Sequence, residues 1–395
     1  MSLKNVITTV KDRIYLDYAA TTPIAPAVIE KILPFFGEYF GNASSLHSYG
    51  VEAKTALQFA RAELAEILSC QADELVFTSG GSESNNMAIK GVAFANRSKG
   101  NHIIVSSIEH DCVLKTCKWL ESQGFFITYL PVNEDALIDL NLLERCINPK
   151  TILVSVMHVN NETGTIQDIN TIGEICQRKG VLFHSDACQS FGKMKINTRN
   201  IDLLSINSHK IYGPKGIGAL MIKKGVNISP LLHGGGQEYG YRASTENVAG
   251  VIGFAEAAKL CYTIMDQELI RVDQLQTYLV DELTRNIPGI YFNGHQSQRL
   301  PHILNFCVSG LEGETIRLML LLDEMGIAVS SGSACSSNGG DQASHVLQAI
   351  GLDAFRARGS IRLSLGRATN YKQLNTFLTS LYQSINQLNP IFSII

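Results

Sequence analysis

The spacing of apolar and polar positions changes character several times along the chain. Apolar residues from Val28 to Phe36 recur at helical intervals, until Gly41-Asn-Ala-Ser-Ser interrupts them. Residues 47–68 predict a long amphipathic helix, with Ala56, Phe59, Ala60, Leu64 and Ile67 roughly on one face. Short apolar runs then predict strands at 75–79 (LVFTS), 102–107 (HIIVSS), 126–130 (FITYL), 151–157 (TILVSVM), 181–185 (VLFHS) and 202–206 (DLLSI). Helical segments at 82–97, 111–123, 140–146 and 169–179 separate most of them. Continuous apolar strands alternating with helices imply an α/β fold whose mostly parallel sheet is covered on both faces. Such sheets bind ligands beyond the carboxyl ends of their strands, so the residues after each run carry the chemical interest.

Residues 245–286 are dominated by helix formers and lead into a second domain. There the pattern predicts strands near 302–308, 327–330 and 360–365, helices at 313–325 and 342–350, and a terminal helix. A chain of 395 residues suits two domains. The expected division is a large domain over 15–261 and a smaller α+β domain made of 1–14 and 262–395. The formal net charge is −3 with interspersed signs, which argues against a nucleic-acid or anionic-membrane surface. The stretch MSLKNVITTVKDRIYLDYAA has no apolar core of signal-peptide length, and the run Leu318–Leu322 is far too short to span a bilayer. The expectation is a soluble, cytoplasmic protein. Nine cysteines without a C-x-x-C or a regular spacing argue against a disulfide framework, and no Cys/His cluster suggests a metal site. Most read as small buried hydrophobes. Cys188 sits among polar candidates, and Cys335 lies in SSGSACSSNGGD, which has no core pattern.

The strand ends supply the candidate chemistry. Ser79-Gly-Gly-Ser-Glu-Ser opens a helix, either as a plain cap or as an anion cradle with Gly81 and Ser82 at the first turn. It matches neither G-x-x-x-x-G-K-[ST] nor G-x-G-x-x-G. His110 could stack on a flat ring and exchange protons near neutrality, or be an ordinary loop histidine. Asn161 could hydrogen-bond a ring substituent. Asp186 ends a buried strand, where a carboxylate is costly without a cation such as a protonated pyridine nitrogen. Gln189 follows it. His209 and Lys210 end the next strand in LLSINSHKIYGPKGIGAL, where a desolvated lysine amine could react with an aldehyde. A cradle for phosphate, a stacking His, an Asp and a Lys are the parts that pyridoxal 5'-phosphate requires.

At this point the chain resembles the fold-type I, class V pyridoxal-phosphate enzymes, and within them the NifS/IscS-like cysteine desulfurases. The likeness runs through DYAATTP, TSGGSESNN, EHDCVL, SVMHVNNETGTIQDI, HSDACQS, SHKIYGPKGIGAL, HGGGQE, RASTEN, SSGSACSS and SIRLSLGR. It implies a large domain with a mostly parallel seven-stranded sheet. It implies Lys210 as the Schiff-base lysine, Asp186 as the pyridinium partner, and His110 as the stacking residue and proton shuttle. Gln189 and Asn161 would bond the phenolic oxygen and substrate region. Gly81, Ser82, Asn207 and His209 would hold the phosphate, with Thr245 reaching in from the second subunit of a homodimer. Arg362 would clamp the carboxylate of L-cysteine. Cys335, on a mobile loop, would take the sulfur as a persulfide, release L-alanine, and serve a sulfur acceptor such as an iron–sulfur scaffold or a sulfur carrier. Asn207 stands where Ser or Thr is usual, Ser244 where Gly is usual, Ala43 follows Asn42 in place of Pro, and Asn338-Gly-Gly-Asp-Gln replaces an acidic-Pro-Ser run.

Three rival readings remain. A selenocysteine lyase or aminotransferase of the same fold would keep Lys210, Asp186 and His110 without needing a thiol in a loop. His233-Gly-Gly-Gly236 resembles a hydrolase oxyanion loop, but no G-x-S-x-G accompanies it. A non-catalytic binding relative would have no need of all four reactive residues.

Overall fold

The computed structural model describes residues 13–331 and 343–388. The described chain divides into two compact units. One holds residues 20–161 and 165–269. The other gathers the described residues up to Ala19, Glu162–Gly164, and those from Ile270 onward.

The first unit is built on a seven-stranded sheet. Its strands lie in the order Leu75–Thr78, Gly218–Ile222, Leu203–Asn207, Leu182–Asp186, Thr151–Ser155, His102–Ser106 and Phe126–Leu130. Gly218–Ile222 pairs antiparallel with both of its neighbours, and the remaining pairs are parallel. Six strands therefore finish on the same edge. The apolar runs are continuous because both faces are covered. Leu75, Phe77, Leu204 and Ile206 pack into one core cluster, while Val76, Leu203, Leu220 and Ile222 pack into another. Phe126–Leu130 differs: it is the edge strand, and Phe126 is 66% exposed. The Gly218–Ile222 strand has no counterpart among the predicted runs, because GIGAL follows a Gly-Pro turn and offers no helix-strand alternation.

The predicted boundaries at 181–185 and 202–206 move by one residue. Asp186 and Asn207 are thus the last residues of their strands rather than the first of the loops. Val28–Phe36 resolves into an α-helix at Pro26–Ile32, started by proline, and a 3-10 turn at Leu33–Phe36. The predicted helix at 47–68 forms as Ser48–Leu68.

Val248–Asn286 is one helix of 39 residues. An 18-residue window in it is apolar enough to cross a membrane, but 67% of that window is buried in protein. Phe254, Ala257, Ala258 and Cys261 join the core of the first unit, and Val272, Leu275, Leu279 and Leu283 join that of the second. Its apolarity is accounted for by two protein cores.

The second unit has a three-stranded antiparallel sheet in the order Ser360–Ser364, Ile303–Val308, Ile290–Phe292. A two-residue parallel pairing joins Ile14–Tyr15 to Ile327–Ala328. The helices Thr315–Glu324 and Tyr371–Leu388 are amphipathic; Leu318, Leu322, Leu374, Phe377 and Leu381 close the core over the sheet. Helix 342–350 of the sequence reading is described as His345–Ala349.

Candidate active site

The edge where six strands finish begins with two glycines. Gly80 has φ +153° and ψ 178°, a conformation that residues with a Cβ rarely adopt. It caps the helix Gly81–Ala95, whose first-turn N–H groups form the positive end of the helix dipole. Close packing sets the second glycine: a Cβ on Gly81 would lie 2.5 Å from the Cys188 sulfur. Asn207 is buried beside it, its Nδ2 3.5 Å from the same Cβ position. The Asn207 Oδ1 is buried without a hydrogen-bond partner among the described residues. Ser82 is exposed at the first turn.

Lys210 and His209 follow the Leu203–Asn207 strand in a tight turn, with Ile211 and Gly213 N–H both bonded to the Ser208 carbonyl. The loop at Thr21 and Thr22 fixes that turn. The Thr22 N–H and hydroxyl donate to the His209 carbonyl at 2.9 Å each, and Tyr212 N–H donates to the Thr22 hydroxyl at 2.8 Å. His209 Nδ1 lies 3.2 Å from the Thr21 hydroxyl. Burial, then the cations of Lys210, Lys215 and Lys193, push the His209 imidazole down to about 4. The spot is therefore electropositive and suited to an anion. Lys210 itself is half-buried.

Asp186 is 5% exposed and accepts two hydrogen bonds, from Cys188 N–H at 2.9 Å and from Asn85 Nδ2 at 2.6 Å. Below it, His184 bridges the Ser155 and Ser205 hydroxyls across three strands, and burial lowers its imidazole to about 4. Gln189 is buried, its Oε1 accepting from Lys193 Nζ at 3.3 Å. His110 caps the helix Asp111–Ser122, its Nδ1 accepting from Cys112 N–H. Glu109 is fully buried and accepts Met157 N–H at 2.7 Å, and burial pushes its carboxyl well above the usual carboxylate range. Asn161 is half-buried after Asn160, whose side chain donates to the Ile108 carbonyl.

Thr245 is exposed and follows Ser244, which has φ +105° in a region that favours glycine. This is the position where the sequence carries Ser in place of Gly. The surrounding segment is pinned by two ion pairs. Arg242 pairs with Glu83 at 2.9 Å, and Glu238 forms a buried fork with Arg61 while also accepting Phe77 N–H.

Arg362 belongs to the other unit. It lies on the Ser360–Ser364 strand with its side chain buried, and its Nη2 donates to Asp17 Oδ1 at 2.8 Å. Cys335 lies outside the described residues.

The model of the class-V aminotransferase family matches residues 14–377. The chain belongs to that family. Among its curated relatives, "Cysteine desulfurase IscS" of Dictyoglomus turgidum is 48% identical over 383 residues, 96% of each chain. A protein of the same name from Methanosarcina thermophila is 45% identical over 390 residues, covering 98% of this chain and 96% of its own. Of solved structures, a "NifS-like protein" superposes with a TM-score of 0.89 at 34% identity, covering 95% of this chain and all of its own. A structure described as "SspA in complex with cysteine" gives 0.80 at 38% identity over 89% and 98% of the two chains. The fold expected from the motifs, a mostly parallel seven-stranded sheet with a smaller α+β unit, is that of these class-V enzymes.

The family's cofactor is pyridoxal 5'-phosphate, and the residues present fit it. A helix N-terminus, an amide with an unpartnered buried oxygen, and a neutral histidine among lysines suit a phosphate. A buried carboxylate that accepts from neutral groups suits a protonated ring nitrogen. Two contributors escape a sequence reading. Asn85 and Cys112 look like ordinary helix residues, and only the fold brings Asn85 to Asp186 and to Cys112. The polar run SESNN was the available signal for Asn85.

The Gly81 contact makes a testable point. Gly81→Ala is expected to weaken cofactor binding several-fold, because the new methyl meets Cys188. Adding Cys188→Ala should restore it. Equal cofactor titration curves for Gly81→Ala and the natural protein would count against the tight cradle.

Proposed function

We propose that the chain takes sulfur from L-cysteine, giving L-alanine and a persulfide on Cys335. The observation that carries the site assignment is the clustering of Gly81, Asn207, His209, Lys210 and Asp186 where strands of one sheet finish. The activity is that of a cysteine desulfurase, the name carried by full-length relatives at 48% identity.

In this reading Gly81, Ser82, Asn207 and His209 bind the phosphate, and Thr245 of a second copy adds a hydroxyl. Lys210 attaches the cofactor and takes the Cα proton at Nζ. Asp186 keeps the ring nitrogen protonated. His110 would stack on the ring and exchange a proton there. Gln189 and Asn161 bond the phenolic oxygen. When bound, the cofactor supplies an electron sink for the pair left at Cα. Arg362, oriented by Asp17, receives the substrate carboxylate through its guanidinium fork. The Cys335 thiolate attacks the substrate sulfur, so that an S–S bond forms as the Cβ–S bond breaks.

A homodimer is supported by exposed apolar side chains on one stretch of the first unit. Leu33, Phe36, Phe40, Leu46 and Phe59 are 65%, 69%, 66%, 97% and 67% exposed. Apolar surface on that scale marks an interface. We place the protein in the cytoplasm, passing sulfur to an acceptor protein such as an iron–sulfur scaffold or a sulfur carrier.

The test is stoichiometry. With L-cysteine and a reductant, alanine and sulfide should appear in equal amounts. Without reductant, peptide mass spectrometry should find one extra sulfur on the Cys335 peptide. 3-Mercaptopyruvate, with the amino group passed to an oxo acid and no alanine or sulfide released, would favour the aminotransferase reading instead.

A further inference from the structure

Asn85 lies in the second turn of the Gly81–Ala95 helix and is 1% exposed. Its Nδ2 is 2.6 Å from Asp186 Oδ2 and 3.3 Å from the Cys112 sulfur. That sulfur is in turn 3.1 Å from His110 Nδ1, which also accepts the Cys112 backbone N–H at 3.2 Å. Four side chains from three different segments therefore form one continuous hydrogen-bonded chain.

The direction of every bond in it follows from donor chemistry. An ionised carboxylate only accepts, so the Asn85 group facing Asp186 is the amide NH2. One amide hydrogen goes to Asp186, and the other points to sulfur. Toward Asn85 the sulfur is then an acceptor, and its single S–H is available to the imidazole. A backbone N–H can only donate, so the His110 Nδ1 that receives it is the unprotonated nitrogen. The thiol keeps its hydrogen across the working range, because burial and the charge of Asp186 push it up to about 12.

We propose that Asn85 and Cys112 are positioning residues that orient the Asp186 carboxylate and hold the ring proton of neutral His110 on Nε2. This rests on the reading of Asp186 and His110 as cofactor-site residues and deepens it. Asn85 and Cys188 N–H each take one carboxylate oxygen of Asp186, which fixes its plane. Cys112 makes His110 present an N–H at Nε2 while its Nδ1 is closed by two donors. The two residues that would face opposite parts of the cofactor are thereby set by one relay.

The test uses the cofactor-loaded protein with 15N-labelled histidine, the His110 ring signals being assigned by their loss in His110→Gln. The natural protein should show a protonated Nε2 and an unprotonated Nδ1. Cys112→Ala should broaden or shift the Nδ1 signal and lower kcat several-fold, with KM for cysteine little changed. Cys112→Ser, which keeps a donor, should restore both. Asn85→Leu, near in volume but without an amide, should lower kcat by about tenfold, in line with loss of a hydrogen bond to a charged group, and should weaken cofactor binding. A protonated Nδ1 in the natural protein, or Ala and Ser variants that behave alike, would overturn the relay. His110→Gln with full turnover would instead defeat the placement of His110 at the cofactor, while leaving the tautomer result intact.

Discussion

Lys210→Ala should lose desulfurase turnover by about three orders of magnitude or more, the scale expected when a nucleophile that also serves as a base is removed. One atom, Nζ, has two tasks in the proposed site: it attaches the cofactor and it takes the Cα proton. No neighbouring amine can substitute, because Lys193 and Lys215 are reached from other turns and Lys193 is already engaged with Gln189. Folding should be almost unaffected. Lys210 is half-buried and makes no hydrogen bond or ion pair among the described residues, so its removal leaves no orphaned partner. The cofactor should still bind, with lower affinity, through the phosphate cradle and Asp186. Lys210→Arg should be as inactive as the alanine variant, since a guanidinium keeps the charge but cannot supply a neutral amine. Alanine release measured beside a thermal melt separates the two effects. Turnover in Lys210→Ala near that of the natural protein would remove Lys210 from the mechanism.

The parts of this site that were legible in the sequence share a physical cause. Strands buried on both faces must be continuous apolar runs, so their ends are marked wherever polarity returns. Lys210, His209, Asp186 and His110 sit at or just after such transitions, and their strand-end positions follow from local pattern alone. The antiparallel strand Gly218–Ile222 was less legible because its identity depends on pairing with Leu75–Thr78 and Leu203–Asn207, which lie at different distances along the chain. Contacts made by folding were not legible at all. Asp17 and Arg362 are 345 positions apart, and Asn85 and Asp186 are 101 apart. Neither pair follows a periodicity that a one-dimensional reading can detect.

Departures from a family pattern were visible, but their consequences needed coordinates. Ser244 in place of glycine becomes a residue at φ +105°, just after a segment anchored by Glu238 and Arg242. Backbone in such a region costs on the order of 1–3 kcal/mol unless the surroundings impose it. Asn207 in place of a hydroxyl residue remains beside Gly81, with its amide reaching the cradle rather than turning away from it.

Cys335→Ala is expected to abolish persulfide formation and cysteine-dependent alanine release together, again by about three orders of magnitude for loss of a covalent nucleophile. Sulfur transfer needs a thiolate, and a thiol with its pKa at 12 is ionised at pH 7 to only about one part in 10⁵. Burial pushes Cys70, Cys112 and Cys176 up to about 12. Burial also raises Cys117, Cys188 and Cys307. Cys112 and Cys188 matter most here, because they lie closest to Asp186 and could otherwise take the role. Both are raised further by the charge of that same carboxylate, with Lys210 opposing it at Cys188. In the proposed mechanism the nucleophile comes instead from Cys335, in a Ser/Gly-rich run. Cys112→Ser should retain substantial turnover and Cys335→Ser should not. Persulfide mapped by mass spectrometry to the peptide carrying Cys112 or Cys188 in the Cys335→Ala protein, with alanine release preserved, would transfer the nucleophilic role to a thiol of the first unit.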